Sequence, residues 1–484
     1  MTGWEAVVGL EIHVQLATES KMFCRCANRY GDEPNTNVCP VCLAHPGMLP
    51  VANRAAIEQA IRVGLALGCT IPGFAAFDRK NYFYPDSPKA YQISQLDFPF
   101  ATRGTFRVAG EDGGFEVGIT RAHLEEDAAK MVHTGGSDGR LAASSGSVVD
   151  FNRVGTPLLE IVTEPDLRTA EQARRFLTLL RLTIQAIGAS ECDMEKGQLR
   201  CDANVSVRRI GETTLGTKTE LKNMNSFRYL ERGIQCEIER QIAVLEGGGR
   251  VAPATNHYDP QTDAITVLRR KEGAEDYRYF PEPDLVPVTV SDDHREALRA
   301  SLPELPAARI TRLEGLDLRP SEALALVSAP ALGDWFEELS SEIDDPRLAA
   351  NWTLGAFVEH LNAAGVAPGA SPVTPARLAG LLALVADGTL GSAGAKTVFA
   401  RLVADPDATA AAIVEREGLG QVTDDAALTA LVEEAIAGNP AQVEQFRAGK
   451  ESLIGFFVGQ VMRASGGRAE PTAVQRLLRD RLGS

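Results

Sequence analysis

Val7-Val8-Gly9-Leu10-Glu11-Ile12-His13-Val14-Gln15-Leu16, near the N-terminus, reads as a β-strand with two unlike faces. Side chains alternate across a strand, so Glu11, His13 and Gln15 point one way and Leu10, Ile12, Val14 and Leu16 the other. The apolar face can dock on a core and leaves the polar face to solvent or to chemistry. Later segments repeat the pattern. Leu199-Arg200-Cys201-Asp202-Ala203-Asn204-Val205-Ser206 sets Asp202, Asn204 and Ser206 on one face, and Thr217–Lys222 does the same for Lys218, Glu220 and Lys222. Leu158-Leu159-Glu160-Ile161-Val162 places one carboxylate inside an apolar strand. A buried charge is costly, so Glu160 should be paired, protonated or bound to a cation. His123-Leu124-Glu125-Glu126-Asp127 adds three adjacent acids, a weak signal alone because such runs usually face solvent. Together these segments predict an α+β protein with one polar, metal-holding face on a mainly antiparallel sheet.

At 484 residues and 44% hydrophobic content the chain can bury two to four cores. It contains no run of eighteen apolar residues and no basic segment leading into an apolar one near the N-terminus. A soluble, cytoplasmic protein is expected. The net charge of −16 argues against a protein that coats nucleic acid. A local patch is still present: between Phe446 and Ser484 seven Lys or Arg stand against three acids, an excess of four.

Four of the eight cysteines cluster, as Cys24-Arg25-Cys26 and, twelve residues later, Cys39-Pro40-Val41-Cys42. Two close pairs across a short loop match a tetrahedral four-thiolate zinc site with no open position, hence a structural one. Cys69, Cys192, Cys201 and Cys236 are scattered and read as buried thiols.

Three parts are expected: residues 1–292, which hold every candidate catalytic segment; 293–405, rich in Ala, Leu and Glu; and 406–484, with its own helical pattern. Helices are predicted at Arg168–Gly188 and Asn225–Leu245, and one or two within Ala441–Ala464. Between Asp78 and Gln92, Pro85 and Pro88 stiffen a tyrosine-rich loop that presents Lys80 and Lys89, natural point charges for phosphates. With no GxxxxGK[ST] loop and no GxGxxG after a strand, the site is neither a P-loop nor a dinucleotide fold. Residue spacing alone stops at a metal- and phosphate-handling enzyme.

The motifs go further. GLEIHVQL, KNYFYPDSPKAYQISQ, HLEEDA, DFNRVGTPLLEIVTEPD, LRCDANVSVR, TELKNMNSFRYLERG, DYRYFPEPDL and SLIGFFVGQVMRASGGRAEP occur in this order. Over its whole length the chain resembles the B subunits of the tRNA-dependent amidotransferases that make Gln-tRNA(Gln) or Asn-tRNA(Asn). The resemblance implies an ATP-dependent kinase that phosphorylates the side-chain carboxylate of Glu or Asp esterified to tRNA. Ammonia, released from glutamine by an amidase (the A subunit), then displaces phosphate, and a small protein (the C subunit) ties the heterotrimer together.

Carried over position by position, the resemblance gives catalytic roles to Glu11, His13, Lys80, Lys89 and Glu126. It makes Glu11, His13, Glu126, Glu160, Asp202 and Glu220 magnesium ligands. Lys80, Lys89, Tyr82, Asn152, Arg153 and Lys222 become contacts to ATP or the intermediate. The four cysteines match the zinc-bearing members; others lack them, as befits a structural metal. The same resemblance implies a cradle-shaped catalytic domain, a helical domain and a small tail domain at the tRNA. In the tail Lys450, Arg463 and Arg468 are the phosphate candidates, while Gly455 and Gly459, spaced i and i+4, are expected to permit close helix packing. The Gly/Ser-rich stretch His133–Ser147 departs from the pattern and reads as a hairpin tip. Two rivals stand beside this reading: a non-catalytic tRNA adapter stapled by zinc, and the archaeal-type relative, whose large insertion 484 residues leave no space for.

Overall fold

In the computed structural model the described residues are 3–110, 112–135, 144–270, 277–422 and 424–483. They fall into two compact units, Met1–Thr311 and Arg312–Ser484.

The first unit is built on strands β1 (Trp4–Gln15), β2 (Phe74–Ala75), β3 (Asp78–Asn81), β4 (Tyr91–Ser94), β5 (Ala101–Val108), β6 (Phe115–Glu126), β7 (Lys130–Thr134), β8 (Gly146–Asp150), β9 (Pro157–Thr163), β10 (Leu199–Arg209), β11 (Thr219–Lys222), β12 (Ala254–Asp259), β13 (Ala264–Arg270), β14 (Arg278–Pro281) and β15 (Val288–Thr289). Eight of them form one sheet in the order β13-β12-β11-β10-β1-β9-β6-β5. Every pairing is antiparallel except that of β11 with β12. The predicted alternation of β1 holds: Val8, Leu10, Ile12 and Val14 are buried, while Glu11, His13 and Gln15 are partly open.

Helices α1 (Arg54–Ala66), α2 (Ala170–Ala186) and α3 (Phe227–Glu246) pack on the sheet. Each has a polar N-cap whose side chain accepts from the first turn: Asn53, Thr169 and Ser226. The α2 and α3 ranges lie inside or within a residue of those predicted. α1 comes so near β5 that a Cβ on Gly64 would lie 2.6 Å from that of Ala101, so this contact requires glycine. Phe176 of α2 meets Phe106 of β5 edge-on, with centroids 5.6 Å apart. On the buried face of α3 the fully buried Glu237 accepts from Thr219 Oγ1 at 2.6 Å and Gln241 Nε2 at 2.8 Å and pairs with Arg240 at 2.7 Å, which together meet the cost of burying it. Helix α4 (Asp292–Ala300) packs back on α1, and its Arg295 donates to the Ile71 carbonyl at 3.3 Å. β7 and β8 pair antiparallel with His133 opposite Ser147, so both ends of the stretch His133–Ser147, read as a hairpin tip, lie on strands; its residues 136–143 lie outside the described residues.

The second unit is a succession of helices among the described residues. Trp335 stacks on Phe357 at 3.7 Å within it. Helix Ala410–Glu417 still packs with Pro375–Ala386 and Ser392–Ala404, and a separate small core begins beyond it. That core joins Leu428, Val432, Phe457, Val461, Val474 and Leu478. Ala441–Ala464 resolves into two helices, Pro440–Arg447 and Ile454–Ala464. The expectation of close packing at Gly455 and Gly459 is not met: both are exposed, and a Cβ on either would meet nothing within 4 Å. The buried stripe of that helix is Phe457 and Val461 instead.

Candidate active site and metal centres

Strand register assembles the polar face. Glu11 lies opposite Asp202, and His13 lies between Arg200 on β10 and Glu160 on β9. On the far side of β9, His123 of β6 is also opposite Glu160. Side chains two apart share a face, so Glu125 joins them and Glu126 does not.

The distances follow. Glu160 Oε2 lies 3.5 Å from His13 Nε2 and 3.4 Å from His123 Nε2. Glu125 lies 3.8 Å from His13 and 3.9 Å from His123. Two overlapping triads result, Glu11–His13–Glu160 and His123–Glu125–Glu160, each with ligand atoms within 4.8 Å of one another. Lys80 reaches Glu125 from β3 at 3.9 Å and lies over the Tyr277 ring at 5.0 Å.

The electrostatics show a face short of positive charge. Burial pushes Glu11 above the usual carboxylate range, and Glu160 adds to the shift. Burial likewise raises Glu125, against the pull of Lys80. Glu160 goes the other way: burial would raise it, but His123 and His13 outweigh that and hold it low. His123, wholly buried, is depressed to about 4, so it is a neutral imidazole at pH 7. Burial would depress His13 too, yet Glu160 and Glu125 raise it. Buried carboxylates and imidazoles that converge without enough cations fit a hard divalent ion.

Several sequence-predicted residues stand elsewhere. Glu126 points off the reaction face; it pairs with Lys89 and accepts from Ile93 N at 3.0 Å. Asp202 and Glu220 are joined by Lys222, which lies 2.8 Å from Glu220, so they form the next patch along the face. Asn152 is spent on the cysteine loop, accepting from Asn37 N at 2.8 Å and donating to the Glu33 carbonyl at 2.7 Å. Arg153 donates to the Ala128 and Ala129 carbonyls, each at 2.8 Å. Tyr82 stacks edge-on with Tyr277 beside Lys80, centroids 6.2 Å apart. The segment expected as one stiff loop is β3, a turn and β4, with Lys80 on the strand and Lys89 on the turn. His123 and Glu125, which the geometry brings to the centre, are legible in the sequence only as two-apart neighbours in a run that reads as solvent-facing.

Cys24, Cys26, Cys39 and Cys42 converge with all sulfurs within 4.8 Å, the spread expected of four thiolates around one zinc. Cys42 Sγ accepts from Cys39 N at 3.2 Å and lies 3.8 Å from Lys21 Nζ. Lys21 is fully buried, and its ammonium also donates to the carbonyls of Asn37 at 2.7 Å and Phe151 at 3.3 Å. The Cys24 thiol, followed by the Cys39 amide and the Lys21 charge, outweighs burial and holds the Cys42 thiol down at about 5.

In the tail, Lys450 and Arg463 are exposed, whereas Arg468 is anchored to the carbonyls of Ser465 and Gly418, each at 3.0 Å.

Comparison with known proteins places the chain in a family. Residues 6–296 match the GatB/GatE catalytic domain and residues 334–482 the GatB domain. A Moorella thermoacetica protein, named as the B subunit of an aspartyl/glutamyl-tRNA(Asn/Gln) amidotransferase, is 50% identical over 99% of this chain and 100% of its own length. Namesakes from Geobacter sulfurreducens and Carboxydothermus hydrogenoformans are 48% and 47% identical, each aligned over at least 99% of both chains. The chain belongs to the GatB/GatE family.

Proposed function

We propose that this chain is the ATP-dependent B subunit of a glutamine-hydrolysing aminoacyl-tRNA amidotransferase, a carbon–nitrogen ligase. The γ-phosphoryl group of ATP passes to the side-chain carboxylate of Glu-tRNA(Gln) or Asp-tRNA(Asn), and ADP leaves. Ammonia then attacks the acyl carbon and phosphate departs. The name of its relatives supports the tRNA substrates. The observation that carries the phosphoryl-transfer reading is the convergence of Glu11, His13, His123 and Glu125 on the buried Glu160, with Lys80 at the rim.

Glu11, His13 and Glu160, or His123, Glu125 and Glu160, would hold magnesium. Bound there, the ion would neutralise charge on the transferring phosphoryl group. Lys80 supplies a fixed positive charge beside Glu125, where phosphate oxygens would lie. Lys222 orders Asp202 and Glu220 so that the floor of the face keeps its shape. The four cysteines hold a structural zinc in this reading. An amidase (the A subunit) and a small tethering protein (the C subunit) make up, with this chain, a cytoplasmic heterotrimer, and the tail meets the tRNA. A non-catalytic adapter would have no use for buried, mutually destabilising carboxylates on a sheet face.

The test is ADP formation by the reconstituted heterotrimer with charged tRNA and without glutamine. ADP release dependent on Glu-tRNA(Gln) or Asp-tRNA(Asn) is expected; the same rate with uncharged tRNA would contradict the kinase role.

A further inference from the structure

Among the described residues Arg208 pairs with Glu5 at the far end of the polar face, and four fixed cations stand nearer the two triads: Lys80, Arg121, Arg200 and Lys222. Three are matched by carboxylates of that face. Lys80 lies 3.9 Å from Glu125, Arg121 lies 4.0 Å from Glu160, and Lys222 pairs with Glu220 and Asp202. Arg200 is held differently. It is the cross-strand partner of His13, so its side chain shares the reaction face. Its carboxylate partner is Asp127, just past the end of β6 and in neither metal-binding triad. Arg200 Nη2 donates to Asp127 Oδ2 at 2.8 Å, and the same oxygen accepts from Gln15 Nε2 at 2.8 Å. Asp127 is only 4% exposed and its amide donates to the Thr156 carbonyl at 2.9 Å, so it is a rigid anchor. Arg200 Nε is buried and donates to nothing, while the side chain as a whole stays 38% exposed. The guanidinium is therefore oriented by one corner and has donors to spare.

We propose that Arg200 receives the oxyanion of the substrate amino acid: the carboxylate that is phosphorylated and the acyl phosphate formed from it. This rests on the phosphoryl-transfer reading above. A substrate carboxylate that enters beside Glu11, Glu125 and Glu160 is repelled unless positive charge in excess meets it, and Asp127, shared by Arg200 at 2.8 Å and Arg153 at 3.8 Å, leaves one guanidinium charge uncompensated there. A planar guanidinium held at only one of its terminal nitrogens matches a carboxylate better than an ammonium does. Phosphate oxygens of ATP offer the same oxyanion chemistry, so the two sources must be separated by experiment.

The experiment measures single-turnover transfer of labelled γ-phosphate to Glu-tRNA or Asp-tRNA in the intact heterotrimer. Arg200→Ala should slow transfer by about 10- to 100-fold, the loss expected for one charged hydrogen-bonding group. The KM for ATP should stay within about twofold of wild type, well below the tenfold that one lost charged contact brings. Added methylguanidine should restore part of the rate, and Arg200→Lys should lie between, because it keeps the charge and loses the fork. A merely structural role would give no chemical rescue. Arg200→Ala at the wild-type rate overturns the assignment, as does a defect confined to the KM for ATP or one that methylguanidine leaves unmoved. If the wild-type complex itself transfers no phosphate, the kinase reading fails, and this assignment with it.

Discussion

His13 and Glu160 face each other across the β1–β9 pairing, with Nε2 and Oε2 3.5 Å apart, and His123 closes on the same oxygen from β6 at 3.4 Å. One buried carboxylate thus serves two imidazoles of opposite character. His13 is held above its ordinary value by its acidic neighbours, and His123 is kept neutral by burial. Glu160 is the hinge of both triads, and its strand is apolar on either side of it.

Strand parity separates two adjacent acids. Glu125→Gln should lower phosphate transfer to charged tRNA by about 100-fold, the size seen when one preorganised electrostatic group is lost. Glu126→Gln breaks the pair with Lys89 instead and should change that step by less than about tenfold, the scale of one lost hydrogen bond. Equal losses in the two variants would show that Glu126 belongs to the reaction face after all.

Asp127 makes an acid-sensitive corner. Burial would raise its carboxyl, but Arg200 and Arg153 outweigh burial and hold it below the usual range. Its folded value is thus lower than the unfolded value of about 3.9. The stability it contributes is complete above about pH 4 and is lost as pH falls through the lower folded value. Asp127→Asn should cost about 1–3 kcal/mol at pH 7, and the gap to wild type should narrow at pH 3. Denaturant unfolding at both pH values checks this; a gap that does not depend on pH contradicts it.

The cysteine cluster makes a prediction about metal. Cys39→Ser should lose about one zinc per chain and melt earlier. Lys21→Met leaves all four sulfurs in place but removes the buried cation 3.8 Å from Cys42, whose other partners are backbone carbonyls. A four-thiolate zinc is net negative, so this variant should release zinc to a chelator about tenfold faster, the value of one charged contact. Unchanged release would mean that Lys21 only fills space.

In the tail, Arg463→Glu and Lys450→Glu should each weaken tRNA binding and reduce its salt slope by about one, as one phosphate contact is lost. Arg468→Gln should act chiefly on stability, because its guanidinium already links Gly418 to Ser465. Fluorescence titration at several salt concentrations separates the two effects. A salt slope altered by Arg468→Gln and not by Arg463→Glu would reverse the assignment.

Much of this was legible in residue order because strands have period two. Alternation in β1, and one acid in the apolar β9, marked Glu11, His13 and Glu160 as candidates for one polar face. Helix α2 was legible in its apolar spacing and the stop at Gly188, and α3 in the glycine run 247–249 that closes it. Pairing across strands was not legible. Only the register that sets His123 opposite Glu160 shows that Glu125, rather than Glu126, turns to the reaction face. Asn152 and Arg153 lie in a motif that suggests chemistry, yet their side chains saturate backbone groups near the cysteine loop, a tertiary fact that no local pattern encodes. The buried Lys21 has no local signal either: a lysine between Ser20 and Met22 reads as exposed until the cysteines close beside it.

The most direct measurement is transfer of labelled γ-phosphate from ATP to the side-chain carboxylate of Glu-tRNA(Gln) or Asp-tRNA(Asn), scored beside glutamine hydrolysis in the same heterotrimer. Glu11→Ala and His13→Ala should reduce transfer by at least about 100-fold, because the charge that gathers on the phosphoryl group loses its counter-charge. Glutamine hydrolysis should largely survive, since that chemistry would belong to a partner chain. Near-normal transfer in Glu11→Ala would place the kinase site elsewhere on this protein.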